Sequence, residues 1–457
     1  MDTDLISNLP DDVLGKILSL VPTKLAAATS VLSKRWRNLL PLVDSLDFDE
    51  SMLFYPDNKD GEDEASSDES GLRRRHRFSH FVDKTLALLS NAPLIKKFSL
   101  KCFYENDEAR INSWIRTALE RGCLELNLEA ANYLCIDSQY FTSNTLVKLT
   151  ISDGFYPEGH LPFGGVFFPA LKTLTLVEVS FASRDMLEFF IHGCPALEEL
   201  FLCVWMQYLT SPNVKRVTIT SDFDDNVFQL PSIRIKTPSL MYLDYSSYVA
   251  GDYYVVLDSL VEARLDLRLY ESIIYDDDGS LWNEEVFGNV TNLIEGIRTI
   301  KSLHLSPNSL EVFYFCCDSD FMPVLEDLVN LAIESDKEKG WEVMPSLLNK
   351  SPNLQTLVIK GLVHRVTDCC GDACACIRMK DREIVSCLSR CRVKVLEILG
   401  YGGSFRELKQ MRHFLGKLRC LETVKVGVKE DSKKSNYLVA NVMALPRVSS
   451  KCKIQFI

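Results

Sequence analysis

The cysteines between positions 369 and 391 bring this sequence nearest to metal chemistry. Cys369, Cys370, Cys374 and Cys376 follow His364 and precede Cys387 and Cys391. Four thiolates can hold a tetrahedral zinc ion, but common structural sites are built on Cys-x-x-Cys pairs, and the spacing here is Cys-Cys-x-x-x-Cys-x-Cys. A loop with incidental or buried thiols accounts for the same residues, so no metal is assigned and these four stand only as weak candidates. Gly400-Tyr401-Gly402-Gly403 follows a strand-like run but lacks the spacing of a phosphate-binding loop, and reads as a turn. The signatures G-x-x-x-x-G-K-[ST], H-E-x-x-H and G-x-S-x-G are absent, and no histidine pairs with a candidate nucleophile. No catalytic residue and no cofactor are expected.

With catalysis set aside, composition narrows what the chain can bind. Hydrophobic residues are 46% of 457, enough for a buried core, and 21 Gly with 17 Pro are too few for a collagen-like or wholly disordered chain. The 51 Lys and Arg against 63 Asp and Glu leave a net charge of −12, which argues against nucleic acid as a partner. Met1-Asp2-Thr3-Asp4 shows no secretory signal, and no run approaches the roughly 18 apolar residues of a membrane span. The 15 cysteines sit mostly in apolar stretches such as Leu202-Cys203-Val204, as buried thiols of a reducing compartment do. Residence in the nucleus or cytoplasm is expected, with no membrane partner.

The elements fall into four stretches. Residues 1–50 form a small helical module. Pro10 is placed in the first turn of a helix carrying Asp11 and Asp12 at its positive end, with Val13, Leu14, Ile17 and Leu18 at helical spacing. Thr23 is expected to cap a second helix and Ser33 a third, which Pro41 ends. So small a module buries little surface alone and should present some of it to a partner. Residues 51–80 combine a run of carboxylates with Arg73-Arg74-Arg75-His76-Arg77 and are expected to be a disordered loop; the arginines fit either a solvated charge run or a nuclear-import patch.

Residues 81–380 carry a repeat that continues through 381–457. Its template is apolar-x-x-apolar-x-apolar, as in Leu171-Lys172-Thr173-Leu174-Thr175-Leu176 and Leu354-Gln355-Thr356-Leu357-Val358-Ile359. Copies start at Ile95, Cys123, Leu146, Leu171, Leu197, Val214, Leu240, Leu260, Ile300, Leu354, Val393 and Leu421, with a shifted copy near Leu325. Most intervals match leucine-rich repeats, whose units run about 20–29 residues. Pro169, Pro195, Pro212, Pro238, Pro323 and Pro352 precede copies by two residues and mark where each strand half begins. Between Leu176 and Pro195, Leu187, Phe190 and Ile191 keep helical spacing, with Ser183 as N-cap and Gly193 as C-cap. The expected fold class is α/β: the helical module, then a curved parallel sheet with helices outside.

The stretch from Asp4-Leu5-Ile6-Ser7-Asn8-Leu9-Pro10-Asp11-Asp12 to Ser33-Lys34-Arg35-Trp36-Arg37 resembles the F-box of plant F-box proteins, and Val393 to Val426 resembles the FBD domain that closes many of them. With the repeats between, the chain resembles the plant F-box/FBD/leucine-rich-repeat family. That resemblance implies a substrate-recognition subunit of an SCF-type cullin ubiquitin ligase, docked on a Skp-type adaptor, through it on a cullin, and holding a protein substrate on its repeats. The family's adaptor contacts carry over onto Leu9, Pro10, Ile17, Leu18, Val31, Leu32, Ser33 and Trp36. A substrate would meet the strand positions that alternate with the core, among them Phe201, Arg216, Tyr242, Asp244, Arg264 and His304. Taken singly, any of these also fits an ordinary solvated face. A leucine-rich-repeat scaffold acting without ubiquitination is the alternative.

Overall fold

The structure is a computed structural model that describes residues 6, 8–53, 67–89, 94–103, 107–131, 133–137, 140–157, 165–179, 181, 186–204, 206–221, 230–275, 281–286, 288–317, 322–367, 370–373, 387–429 and 435–457. The chain divides into two compact units, Met1–Val204 and Trp205–Ile457.

The first unit opens with α1 (Asp11–Leu18), α2 (Thr23–Ala28) and α3 (Lys34–Arg37). Two helix starts differ from the expected ones by a residue. Pro10 stands at the N-cap of α1 with extended backbone, one residue before the first turn. Pro22 holds the corresponding place on α2, and Thr23 is already helical. The Thr23 hydroxyl instead accepts the N–H of Asp47 at 2.7 Å, tying α2 to the strand that follows. Ser33 does cap α3, accepting the Trp36 N–H at 3.4 Å. Gly15 lets α1 lie against the Leu40–Leu42 turn, since a Cβ there would meet Leu42 Cβ at 2.7 Å.

The strands of this unit are β1 (Ser45–Asp49), β2 (Lys97–Cys102), β3 (Glu125–Ala130), β4 (Leu134–Ile136), β5 (Lys148–Ser152), β6 (Phe155–Pro157), β7 (Thr173–Val177) and β8 (Glu199–Cys203). All but β4 and β6, which pair with each other, form one parallel sheet in the order β1-β2-β3-β5-β7-β8. The register has no slip, so every second residue faces the same side. Phe98 and Leu100, Leu126 and Leu128, Leu149 and Ile151, Leu174 and Leu176 line the core side at 3% exposure or less. Behind the sheet pack α4 (Ser67–Leu88), α5 (Glu108–Glu120) and α6 (Met186–His192).

Helix α4 corrects the expectation of disorder for residues 67–80; residues 54–66 of that stretch lie outside the described residues. Phe78, Val82, Leu86 and Leu89 recur at three- and four-residue spacing and are buried. Phe78 meets Trp114 of α5 edge-on at 6.0 Å, and the Trp114 indole donates to Asp83 at 2.7 Å. The charge run ends where this apolar stripe starts, and the stripe has a surface to bury against. Gly193 follows α6 as its C-cap, as expected, its N–H donating to the Phe189 carbonyl at 3.0 Å; a Cβ there would also lie 2.3 Å from the Val166 carbonyl oxygen, so glycine permits the close approach of two loops. Ser183 lies outside the described residues.

The second unit contains β9 (Tyr208–Thr210), β10 (Arg216–Thr220), β11 (Ser232–Lys236), β12 (Tyr242–Tyr248), β13 (Asp252–Val256), β14 (Glu262–Arg268), β15 (Tyr270–Tyr275), β16 (Leu281–Val286), β17 (Ser302–Leu305), β18 (Asn330–Glu334), β19 (Thr356–Lys360), β20 (Val395–Tyr401), β21 (Thr423–Val428) and β22 (Lys453–Phe456). Its main sheet is parallel, in the order β10-β12-β14-β17-β18-β19-β20-β21-β22. Each repeat start falls just before a main strand and is buried: Val214, Leu240, Ile300, Leu354 and Val393 are all at 0% exposure. The shifted copy resolves to Leu328-Val329-Asn330-Leu331-Ala332-Ile333, whose template residues Leu328, Leu331 and Ile333 are buried at 0% and whose strand is β18.

The outer layer is only partly the helical one expected. Behind the later strands lie α7 (Thr291–Gly296), α8 (Pro307–Phe315), α9 (Met344–Asn349), α10 (Phe405–Lys417) and α11 (Ser435–Met443). Behind the earlier ones a second parallel sheet, β13-β11-β9, takes their place. Tyr245 of β12 and Tyr253 of β13 meet edge-on at 6.4 Å in the core between the layers. Short units rich in β-branched and aromatic residues, with Pro212, Pro231 and Pro238 at their turns, leave no room for a helix and favour a strand.

Candidate protein-binding surfaces

The N-terminal module buries Leu14, Leu18, Ala26, Leu39, Leu40 and Val43, and little apolar material is left to cover the rest. Leu20 is 85% exposed, Val31 80%, Leu32 66% and Leu25 52%, with Ile6, Ile17 and Leu42 near half. Monomeric proteins seldom leave so many large aliphatic side chains in water on so small an element without a partner for them. The module is nevertheless held together. Arg35 of α3 forms an ion pair with Asp11 of α1 at 2.7 Å and donates to the Leu9 carbonyl. Ser19 accepts the Asp44 N–H at 3.1 Å, and Lys24 donates to the Met52 carbonyl.

Of the positions the sequence singles out, Pro10, Ile17, Val31, Leu32 and Ser33 are exposed, and Leu9 and Trp36 are half-buried. Leu18 is the correction. It is 3% exposed on the inner face of α1, so it belongs to the module's core and cannot meet a partner. Ile17 and Leu18 are adjacent on a helix, about 100° apart, so only one can face outward. Sequence reasoning passed over Leu20 and Leu25. Leu20 stands in the Ser19-Leu20-Val21-Pro22 turn, where helical spacing gives it no core position, and an aliphatic residue left over in that way was the available signal.

On the open face of the second unit, one row across the strands reads Arg216, Tyr242, Glu262, Ser302, and the next reads Thr218, Asp244, Arg264, His304. The structure therefore brings Arg216, Tyr242, Asp244, Arg264 and His304 onto one face, while Phe201, 38% exposed, stands on β8 of the first unit. The Arg216 guanidinium lies over the Tyr242 ring at 4.0 Å and that of Arg264 at 5.9 Å, so one aromatic ring receives two cations. The Tyr242 hydroxyl donates to Asp244 at 3.3 Å; burial first, then the Asp244 charge, raises its pKa. Arg264 also reaches Glu262 at 3.3 Å. His304 meets Glu334 at 3.3 Å, and Lys360 meets the same carboxylate at 3.0 Å. Burial lowers the His304 pKa and outweighs Glu334, which pulls the other way. Such a face can bind a protein through stacked arginine and tyrosine; it holds no nucleophile aligned with a base.

The remaining candidates for chemistry are taken up by structure. The Gly400–Gly403 turn has positive φ at Gly400 and Gly403, and the Glu407 carboxylate accepts the N–H groups of Gly402 at 2.9 Å and Ser404 at 2.7 Å. The donors a phosphate would need are bound to an internal carboxylate that caps α10. His364 is buried, stacked on Trp341 at 4.2 Å. Its Nε2 lies 3.0 Å from the Gly371 carbonyl oxygen, and its Nδ1 lies 2.9 Å from Gln410. Cys370 is buried at 0% exposure, whereas Cys369, Cys374 and Cys376 lie outside the described residues. Among the described residues no group of three His, Cys, Asp or Glu is placed to hold a metal ion. Nor is any helix among them long and apolar enough to cross a membrane.

Comparison with known proteins agrees with this arrangement. Residues 6–46 match the F-box domain model, and residues 111–251 match the model described as FBD-associated F-box protein At5g56370, LRR repeats. Among curated proteins of Arabidopsis thaliana, the chain is 89% identical to F-box protein At4g27050 over 100% of both chains. It is 52% identical to F-box/LRR-repeat protein At1g48400, over 99% of this chain and 98% of that one. With Putative F-box protein At1g21990 the identity is 50%, over 99% and 98%. An F-box module with its aliphatic residues uncovered, followed by leucine-rich repeats along the chain, places this protein in the F-box/leucine-rich-repeat family of plants.

Proposed function

We propose that this chain is the target-recognition subunit of an SCF-type cullin ubiquitin ligase in the nucleus or cytoplasm. Its F-box seats on a Skp-type adaptor, the adaptor joins it to a cullin, and the open strand faces hold a protein target. One observation carries the reading: Leu20, Val31 and Leu32 of the F-box are 85, 80 and 66% exposed, an aliphatic surface that is left uncovered among the described residues. The chain contributes no bond-making step. It raises the effective concentration of a target beside the subunits that transfer ubiquitin.

The test is assembly in three parts. Full-length chain, a plant Skp-type adaptor and the amino-terminal half of a cullin are mixed and separated by size. The chain is expected to co-elute with cullin only when adaptor is present, and Val31→Asp with Leu32→Asp is expected to abolish that. Co-elution without adaptor, or none with a folded chain and adaptor, would overturn the proposal.

A further inference from the structure

Charge is divided unevenly along this chain. Residues 387–457 hold fifteen Lys and Arg against five Asp and Glu, a net charge of +10, so the −12 of the whole chain leaves −22 on residues 1–386. Little of the positive charge is neutralised where it stands. Glu407 is buried as the cap of α10, and Glu397 is paired with Lys425 at 3.2 Å. Glu422 is the one exposed carboxylate among the described residues of the stretch. Protein surfaces ordinarily intersperse both signs, and a field of one sign steers an oppositely charged partner.

The parallel register gathers this charge. Val395, Thr423 and Lys453 stand level on β20, β21 and β22, so the turns that enter the three strands share one rim of the sheet. Arg392 and Lys394 lead into β20, Lys417 and Arg419 into β21, and Lys451 and Lys453 into β22. All six are exposed, and none has a carboxylate partner among the described residues. The turns are tied to one another, since the Glu422 N–H donates to the Lys394 carbonyl at 2.8 Å and the Lys453 N–H to the Glu422 carbonyl at 2.9 Å. At the usual strand spacing, the outer two turns lie about 10 Å apart. Val448, 48% exposed, adds an aliphatic side chain beside the end of α10, where its N–H donates to the Leu415 carbonyl at 2.9 Å. The patch is bounded by Glu326 and Asp327 in the turn before β18.

We infer that this rim binds a short acidic segment of a partner protein, with its carboxylates on the six cations and an aliphatic side chain against Val448. Charge complementarity selects an anionic partner, and the rest of the molecule selects its size. A long polyanion such as nucleic acid would run from the rim onto a chain that is otherwise strongly negative, whereas a segment of a few residues is confined to the three turns. The inference deepens the ligase reading, in which that partner is the target. Adaptor assembly tests the reading and peptide binding tests the rim, so either can fail alone.

The probe is a fluorescent acetyl-Glu-Asp-Leu-Glu-Asp-Glu amide, titrated into the full chain at low salt and followed by anisotropy. Binding is expected to saturate below about 1 mM, the weak end of specific recognition, and to weaken steeply as salt rises. The same peptide with Gln and Asn in place of Glu and Asp should not bind. Arg392→Glu, Arg419→Glu and Lys451→Glu together should weaken binding about tenfold or more, and Gln at the same three positions should weaken it less. Lys172→Glu, Lys236→Glu and Lys301→Glu together change the net charge equally but lie off the rim, and should leave binding within about twofold. All these positions are exposed, so the fold should persist, as thermal unfolding checks. Equal loss in both charge-reversed chains, no saturation with a folded parent, or tighter binding of a short DNA duplex than of the peptide would each overturn the inference. So would a tenfold gain in peptide affinity when the acidic residues between Asp57 and Glu69 are changed to Ser, because the chain's own acidic run would then be the occupant.

Discussion

Leu18→Ala and Leu20→Ala, two residues apart at the end of α1, should fail in opposite assays. Leu18 is 3% exposed in the core of the F-box, and truncating a buried leucine leaves a cavity that costs about 2–5 kcal/mol. The module is small, so that loss should unfold it well below the melting temperature of the repeats, and adaptor binding should fall because the surface is no longer formed. Leu20 is 85% exposed, so its truncation should change stability by no more than about 0.5 kcal/mol. Covering a whole leucine contributes about 1.5–3 kcal/mol, and 85% of that is about 1.3–2.6 kcal/mol, or roughly ten- to eighty-fold in Kd. Denaturant unfolding followed at Trp36 and titration calorimetry with a Skp-type adaptor separate the two. Unchanged affinity in Leu20→Ala, or unfolding of the module by Leu20→Ala, would refute the assignment of the exposed residues as the docking surface.

Three further outcomes follow from particular contacts. Gly193→Ala should destabilise the first unit by at least the ~1–3 kcal/mol of an overpacked site, since the new Cβ would meet backbone at 2.3 Å; thermal unfolding measures it. Glu311 is 5% exposed and paired with Lys339 at 2.6 Å and Arg365 at 2.8 Å, but both cations reach solvent. Glu311→Ala should therefore cost less than the ~3–5 kcal/mol seen when a buried charge is stranded, as urea titration would show. Burial lowers the pKa of His304 and of His364, so the unfolded chain takes up more protons there than the folded one. Stability of the second unit should be full above the ordinary histidine value of 6.5 and decline as pH falls below it, and His364→Gln should flatten that decline.

The strands were legible because a parallel sheet with one buried face repeats its apolar residues at a period of two, and the leading residue of each copy marks the turn before it. Leu171, Leu197 and Leu354 were fixed by that pattern, and all are buried at 0%. The slip at Leu325 arose because Leu325 and Leu328 are both fully buried, one in the turn and one leading the strand. The outer layer was harder. Ser232-Ile233-Arg234-Ile235-Lys236 does alternate and was passed over because it falls between two repeat copies, whereas residues 252–256 alternate weakly and their place was decided by the space available behind the main sheet. Helix α4 was hidden because its charged first half dominates the composition, while Phe78, Val82, Leu86 and Leu89 become a core stripe only once Phe48 and Trp114 are in position. At the F-box surface the family motif located the right module. It could not distinguish Ile17 from Leu18, which differ only in the direction that α1 turns them.

The measurement closest to the central claim is the affinity of the intact chain for a plant Skp-type adaptor. Isothermal calorimetry should give a one-to-one complex with the negative heat-capacity change of apolar burial, and Val31→Asp with Leu32→Asp should remove it while the melting temperature stays unchanged. A folded parent chain that takes up no adaptor, or an equally tight complex formed by that double variant, would contradict the account.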